Sequence, residues 1–202
     1  ARIRPVFSGA DHGALVWIET AASELTDEYV FSEKMDAARF RRWVVTAGAS
    51  DTDAPWTFIC ETHDGTFLGG YAVLTPAFLV RQRLRLAAAL RRGDHSLDDQ
   101  VLARLRQIGA SLPPVPDGSL YLGKIAVNPT VRGQGYGFLL LRHAIALARW
   151  VGAPALTLDV AADNKRAIAV YEHIGFTRHA TVTLTSGASR TEVTLARMVC
   201  NN

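Results

Sequence analysis

The sequence predicts an α/β fold of the α+β kind, in which short strands and amphipathic helices share a core. Three observations support this prediction. A strand at 120–127 is followed by a glycine-rich turn and a helix; two apolar runs at 56–61 and 67–74 flank an Asp-Gly turn; and strands alternate with helical patterns after residue 150. We therefore expect one domain over residues 1–202.

Composition limits the functional classes. The chain has 202 residues, of which 49% are hydrophobic and 20% charged, enough apolar surface for a core. A net charge of +3, with no basic stripe interleaved with aromatics, argues against a nucleic-acid partner. No run of about 18 apolar residues occurs, so no membrane span is expected. Cys60 and Cys200 lack metal or redox spacing, so we expect no metal and a reducing cytoplasm.

The first quarter of the chain predicts one strand and two helices. Pro5 restricts the strand at 2–7 to a sheet edge or a strand start. A loop rich in Gly, Ser, Asp and Pro follows at 47–55, after the second helix, for which Ser32 is the expected cap. The apolar stripes are Leu15, Ile18, Ala22 and Leu25 in the first helix, and Met35, Phe40, Trp43 and Val44 in the second.

A hairpin and then a helical pair precede the glycine-rich turn. Asp64-Gly65 between two apolar runs is a strong hairpin signal. Residues 78–116 have helical rather than strand periodicity, with a break at 93–95, a capping-box start at Ser96 and a proline-rich exit. We read them as an insertion between the third and fourth strands. Its arginines are expected to form a solvated helix face rather than a phosphate patch: Arg81, Arg83, Arg85, Arg91 and Arg92.

The glycine-rich turn predicts an anion site. Asn128-Pro129 ends the strand at 120–127, and a helix is expected at 138–151. A strand, a tight turn and a helix N-terminus leave several backbone N–H groups unpaired, with the helix dipole behind them. The turn carries Gly133, Gly135 and Gly137, and Arg132 adds a positive charge.

Spacing excludes two common phosphate loops. A P-loop needs Gly-Lys-Ser/Thr at its end, and a dinucleotide fingerprint needs its third glycine where Phe138 stands, which disfavours a nicotinamide cofactor. The remaining pattern, Arg132-x-x-Gly135-x-Gly137, is either an ordinary strand-to-helix turn or a pyrophosphate loop. It resembles the pyrophosphate loop of the GNAT superfamily of acetyl-coenzyme A-dependent N-acetyltransferases.

A second group of residues strengthens the resemblance. A strand at 155–160 leads to Asn164, a helix at 165–173 carrying Tyr171, and Gly175-Phe176, in the order that the family shows. Strands at 177–184 and 191–199 flank a turn at 186–189. The resemblance is close over 121–176. The insertion departs from it, because the family usually joins those two strands by a short turn.

The resemblance implies a mixed, mostly antiparallel sheet, splayed in the middle and flanked by helices, with acetyl-CoA as co-substrate in the splay. The backbone of strand residues 125–127 would form hydrogen bonds with the pantetheine arm. The backbone N–H groups of residues 132–137 would bind the pyrophosphate. Tyr171 would protonate the departing thiolate. The alternative role of Tyr171 is that of an aromatic side chain packed in the core. The implied cofactor-binding residues are Ile125, Ala126, Val127, Arg132, Gly133, Gln134, Gly135, Tyr136, Gly137 and Asn164.

The general base stays open. Many relatives carry a carboxylate on the strand before the glycine turn, whereas 120–127 contains none. Tyr121 or an ordered water could relay the proton of the amine. Alternatively, a carboxylate elsewhere in the chain could accept it. Asp159 is either structural or a site for a cationic acceptor. The candidate carboxylates are Glu19, Glu24 and Glu61, and the candidate acceptor-side walls are Trp17, Tyr29, Phe31 and Tyr121.

Three functions follow from these residues. The first is acetyl transfer to the primary amine of a small molecule by direct attack in a ternary complex. The second is acetylation of a protein N-terminus or lysine. The third is a non-catalytic acyl-CoA-binding or sensing module, suggested by the missing strand carboxylate. The last strands and the inserted helices are candidate surfaces for a homodimer.

Overall fold

A seven-stranded sheet connects the first strand to the last. The computed structural model describes residues 1–7, 9–23, 27, 29–31, 34–92, 99–185 and 192–202. The strands are β1 Arg2–Pro5, β2 Trp56–Glu61, β3 Phe67–Leu74, β4 Leu120–Val127, β5 Ala155–Ala161, β6 Thr177–Thr185 and β7 Glu192–Asn201. The helices of the described residues are α1 His12–Ala21, α2 Lys34–Thr46, α3 Pro76–Arg91, α4 Asp99–Ser111, α5 Tyr136–Trp150 and α6 Lys165–His173.

The sheet has the predicted mixed, mostly antiparallel character. Its order is β1-β2-β3-β4-β5-β7-β6, and β4–β5 is its parallel pair. The β2–β3 hairpin and the inserted α3–α4 pair between the third and fourth strands are confirmed. Helix α5 begins two residues earlier than predicted, because Gly135 (φ 86°) ends the turn as its N-cap. The expected positions Leu25, Ser32, 93–98 and 186–189 lie outside the described residues.

Strands β4 and β5 separate soon after they meet. Their pairing is confined to Leu120 with Leu156 and Tyr121 with Thr157. Beyond that point β4 stays paired with β3 up to Val127, with a bulge at Gly123 between the Lys124 and Leu122 pairs. The side of β4 that faces β5 is therefore left without a ladder partner over 122–127. This is the predicted splay.

Two apolar clusters hold the parted sheet. One lies under α5 and includes Leu140, Leu156 and Met198, all fully buried. The other joins α2, the inserted helices and the β6–β7 pair through Phe40, Val101 and related side chains. Helix α3 packs against β3 and Tyr121 of β4, α4 packs against β6, and both helices line the gap.

A buried ion pair sits where the strands part. Arg197 of β7 donates through Nε and Nη2 to the two carboxylate oxygens of Asp159 on β5, at 2.6 and 2.8 Å. The same guanidinium donates to the carbonyls of Pro113 (2.8 Å) and Pro114 (3.1 Å), at the exit of the insertion. It also lies 5.8 Å from the ring centroid of Tyr121. One side chain thus ties β5, β7, β4 and the insertion together.

We predict that Arg197→Met lowers the free energy of unfolding by about 3–5 kcal/mol, because it leaves the buried carboxylate of Asp159 unpaired. The Arg197 side chain is only 2% exposed. The matched control is Arg178→Met on the exposed face of β6, for which a change of about 0.5 kcal/mol or less is expected. Urea unfolding followed by circular dichroism measures both. Equal losses in the two variants would contradict this role of Arg197.

Candidate active site

A cleft of about 1240 Å³ occupies the gap between β4 and β5. One end is formed by the glycine-rich turn and the start of α5. The middle is bounded by β4 and α6, and the far end by β5 and the inserted helices. Its size suits an elongated ligand together with a smaller second one.

The glycine-rich turn presents unpaired amides to this cleft. Gly133 and Gly135 have φ values of 84° and 86°, which only glycine adopts readily. The N–H groups of Arg132 and Gln134 are bonded within the turn, at 3.3 and 3.4 Å. No acceptor is present among the described residues for the following five N–H groups: Gly133, Gly135, Tyr136, Gly137 and Phe138.

The turn is also uncovered. A Cβ built on Gly133 or Gly135 would meet nothing within 4 Å. The exposed Arg132 donates through Nε to the Val127 carbonyl at 3.3 Å and lines the same end of the cleft. Gln134 is exposed and does not line the cleft. Free amides at a helix N-terminus next to a cation form an anion site.

The open edge of β4 continues from this turn. Ile125, Ala126 and Val127 line the cleft and are paired with β3 on their other side. An unpaired strand edge is a template for an extended chain that carries its own amides.

Helix α6 supplies two polar side chains without full partners. The Asn164 carbonyl oxygen accepts the Ala167 N–H at 3.1 Å and caps the helix, which leaves its Nδ2 without an acceptor in the described chain. Tyr171 is 8% exposed and packs on Phe176, and its hydroxyl has no partner among the described residues. Burial raises the pKa of Tyr171 to about 12, so the phenol holds its proton at neutral pH.

The far end of the cleft is apolar with a few polar groups. The insertion contributes Leu79, Leu86, Leu105, Ile108 and Leu112. Tyr121 lines this end and donates to Asp159 at 3.1 Å. The Tyr121 pKa is raised well above its ordinary value. Burial is the main cause, and the negative charges of Asp159 and Asp51 add to it. The five arginines of the insertion are exposed as expected, and Arg83 borders the cleft.

The carboxylates expected as bases are engaged elsewhere. Glu61 is held by Arg2 (2.6 Å) and Arg4 (3.1 Å) at the β1–β2 edge. Glu19 is buried against Arg41 (3.0 Å) and Lys124 (3.2 Å), and Asp159 is paired with Arg197. Of the two readings of Asp159, the structural one fits this pairing. Glu24 lies outside the described residues.

Three of the four expected aromatic walls do not line the cleft. Trp17 packs edge-on against Phe67, with centroids 5.1 Å apart. The Tyr29 hydroxyl donates to Gln107 at 2.8 Å, and Phe31 is buried against Phe40. The inserted α4 and helix α2 cover the last two, so only Tyr121 of the four borders the cleft.

One cleft residue has no signal in the sequence. Asp51 stands in the loop predicted at 47–55, within a short 3₁₀ turn, Asp51–Asp53, and lines the cleft beside β4. Burial is the main cause of a raised Asp51 pKa. A lone Asp in a polar loop is ordinary, and only the packing of that loop against β4 sets this residue apart.

The described residues include no group of three or more His, Cys, Asp or Glu side chains that could hold a metal ion. None of their helices combines the length and apolarity that crossing a bilayer requires.

A sheet parted beside a free helix N-terminus, with a protonated phenol in the gap, defines an acyl-transferring α/β protein. The sequence profile of the Acetyltransferase (GNAT) family matches residues 18–176. The chain belongs to this family. Membership implies acetyl-CoA as the acyl donor.

Curated relatives share part of the chain. The [ribosomal protein bS18]-alanine N-acetyltransferase of Escherichia coli K12 is 34% identical over 88 residues, 44% of this chain and 60% of that protein. The mycothiol acetyltransferase of Beutenbergia cavernae is 35% identical over 80 residues, 40% of this chain and 26% of the relative. The matched segments thus span between about a quarter and three-fifths of these relatives.

Solved structures share the fold over the full length. The ribosomal-protein-alanine N-acetyltransferase of Brucella melitensis has a TM-score of 0.60 at 19% identity and covers 100% of both chains. An N-acetyltransferase of Staphylococcus aureus Mu50 also has a TM-score of 0.60 at 19% identity, covering 99% of this chain and 97% of its own.

The turn geometry gives a stability prediction. Gly135→Ala should cost about 1–2 kcal/mol of unfolding free energy, because alanine at φ 86° is strained even where space is open. Gly137→Ala is the matched control: its Cβ would make an ordinary 3.6 Å contact with Val127 Cγ2, and alanine favours the helix by up to about 1 kcal/mol. Chemical unfolding compares the two. A Gly135→Ala variant as stable as Gly137→Ala would show that the turn is not held left-handed.

Proposed function

We propose that this protein transfers the acetyl group of acetyl-CoA to the primary amine of a small molecule by direct attack in a ternary complex. The observation that carries the proposal is the coincidence, in one cleft, of five unpaired amides, an open strand edge and a protonated phenol. All seven strands belong to one sheet, which supports a single catalytic domain over residues 1–202.

The donor would lie along β4. The amides of Gly133, Gly135, Tyr136, Gly137 and Phe138 suit a pyrophosphate, with Arg132 alongside. The edge at Ile125–Val127 suits the amides of a pantetheine arm, and Asn164 Nδ2 offers a further donor. These partners would place the thioester near the parting of the strands, where Tyr121 and Tyr171 both line the cleft.

The chain's own residues would then serve the reaction. Tyr171 gives a proton to the departing thiolate, since its raised pKa keeps it protonated. A backbone N–H on the open edge of β4 near Val127 donates to the carbonyl oxygen as charge develops on it. Fixed donors of this kind need no rearrangement during the reaction.

The acceptor end favours a small molecule. The insertion lines it with five aliphatic side chains, and the Asp51 carboxylate lines the same cleft. An apolar end lined by aliphatic side chains suits a compact amine with an apolar body. A protein N-terminus is the second candidate, because one relative's name gives a ribosomal-protein alanine as its target. A non-catalytic sensing role is disfavoured by family relatives that are named as acetyltransferases.

Donor binding tests the amide site. Gly135→Glu is expected to weaken CoA binding at least tenfold by calorimetry, because it places a carboxylate among the phosphate donors. Gly152→Glu is the matched control: Gly152 also has a positive φ (73°) and open space, but follows the other end of α5. It should bind CoA within about twofold of the unaltered protein. Equal weakening in both variants would contradict the site.

Acetyl transfer tests the phenol. Tyr171→Phe should lower kcat about 10²-fold, measured as free thiol release, while the Kd for CoA changes little. Tyr71→Phe is the control: Tyr71 is also a buried phenol, bonded to His143 of α5 and absent from the cleft lining, and the change should not alter kcat. An undiminished kcat for Tyr171→Phe would leave Tyr171 as a core aromatic only.

A further inference from the structure

We propose that Asp51 binds the acceptor's ammonium group and serves as the general base, so that the acceptor is a primary amine carried on an apolar body. This inference rests on the proposed acetyl transfer. It supplies the base that the sequence of β4 lacks.

Asp51 reaches the parting of the sheet from a distant loop. A Cβ built on Gly123, the bulge residue of β4, would lie 2.7 Å from Asp51 Oδ2. The carboxylate therefore occupies the space that a side chain at position 123 would fill. This position is two residues beyond Tyr121, where the pairing of β4 with β5 ends.

The Asp51 carboxylate differs from the neighbouring polar groups of its turn, which form hydrogen bonds within the protein. Ser50 Oγ donates to Glu19 at 2.6 Å and accepts from the Thr52 N–H at 3.0 Å. The Asp53 carboxylate accepts the Ser50 N–H at 2.9 Å. For the Asp51 carboxylate, the described part of the chain offers neither a hydrogen bond nor an ion pair. A carboxylate that lines a cleft without a partner is suited to a cationic ligand.

The turn is held from three sides. Glu19 of α1 accepts from Ser50, Gln82 of α3 donates to the Ser50 carbonyl at 2.5 Å, and Thr57 of β2 donates to the Thr52 carbonyl at 3.0 Å. Thr52 and Gln82 are each 2% exposed. A catalytic group needs such support, because a displacement of about 1 Å costs much of its effect.

The surrounding charges leave Asp51 free to act as a base. Lys124 of β4 and Arg41 of α2 favour its ionised form, but both are already in ion pairs with Glu19. Arg83 of α3 acts in the same direction from the exposed rim. Burial and the charge of Glu19 oppose them and raise the Asp51 pKa; Asp53 and Asp159 are the other nearby carboxylates. A raised pKa brings a carboxylate closer to the operating pH of a base.

The proposed step balances in protons. A protonated amine bound to Asp51 loses one proton through it to water, and the neutral nitrogen attacks the thioester carbon. As the C–N bond forms and the C–S bond breaks, the second nitrogen proton passes to Asp51 and Tyr171 gives its proton to the thiolate. Water returns the proton from Asp51 to Tyr171. Each turnover releases one proton from the ammonium.

The apolar wall sets the acceptor class. Leu79, Leu86 and Leu105 line the same cleft as Asp51, so a hydrocarbon or aromatic body can pack on them while the ammonium meets the carboxylate. The probes are therefore n-hexylamine and 2-phenylethylamine, with an alanine-initiated hexapeptide as the protein-type acceptor.

The test compares Asp51→Asn with Asp53→Asn, a carboxylate on the same turn that faces Ser50. For Asp51→Asn we expect CoA binding within twofold, kcat lowered about 10²–10³-fold on the better amine, and loss of the acid limb of the kcat–pH profile. Asp53→Asn should keep kcat within about threefold and keep that limb.

Thermal stability supplies a readout that needs no acceptor. Because folding raises the Asp51 pKa, ionising this group costs stability above its ordinary pKa of about 4. The Tm of Asp51→Asn at pH 7.5 should therefore equal or exceed that of the unaltered protein, and the difference should vanish near pH 4. A residue with a merely structural role would lower the Tm when replaced.

The outcomes separate the two proposals. Failure of the unaltered protein to bind CoA would overturn the proposed function itself. If CoA binds and an amine is acetylated, but Asp51→Asn keeps its kcat and acid limb, only the role of Asp51 is wrong. Acetylation of the hexapeptide in preference to both amines, or of no probe at all, would overturn the acceptor class.

Discussion

The parting of β4 from β5 is the constraint on which the rest of the structure depends. Two residue pairs join the strands, and from Leu122 onward the main chain of β4 faces a gap. Backbone N–H and C=O groups need hydrogen-bond partners. An unpaired strand edge inside a protein can therefore bind a ligand that carries amide groups. The Asp159–Arg197 pair fixes where the gap begins, because Arg197 binds β5 and the exit of the insertion together.

The groups suited to binding and catalysis are polar groups of the cleft that have no hydrogen-bond partner in the described chain. Several charged groups at the cleft are paired: Glu19 with Arg41 and Lys124, and Asp159 with Arg197. Other groups have no partner within the described chain: the N–H groups of residues 133 and 135–138, the Tyr171 hydroxyl, the Asn164 amide nitrogen and the Asp51 carboxylate. All of them border one cavity. Free N–H donors, a protonated phenol and a carboxylate around a single cavity suit binding and proton transfer there.

Much of this could be predicted from local sequence. Asp64-Gly65, the three glycines after Arg132 and the Asn164–Phe176 segment each encode a structure within a few residues, so their elements appear where expected. Long-range packing could not be predicted. Tyr29 and Phe31 were expected at the acceptor side, but α2 and the inserted α4 bury them. The role of Asp51 could not be predicted, because its position beside Gly123 depends on contacts from α1, α3 and β2, which are remote in sequence.

The most direct test of the account is an NMR titration of the ¹⁵N-labelled protein with CoA, following the backbone amides. We expect the largest shifts and the strongest protection from hydrogen exchange at Gly133, Gly135, Tyr136 and Gly137, followed by residues on the open edge of β4. Amides on the β1–β2 edge should be unaffected. Saturable binding that leaves the glycine-turn amides unshifted, or that shifts them no more than distant amides, would contradict the claim that the parted strands and this turn hold the donor.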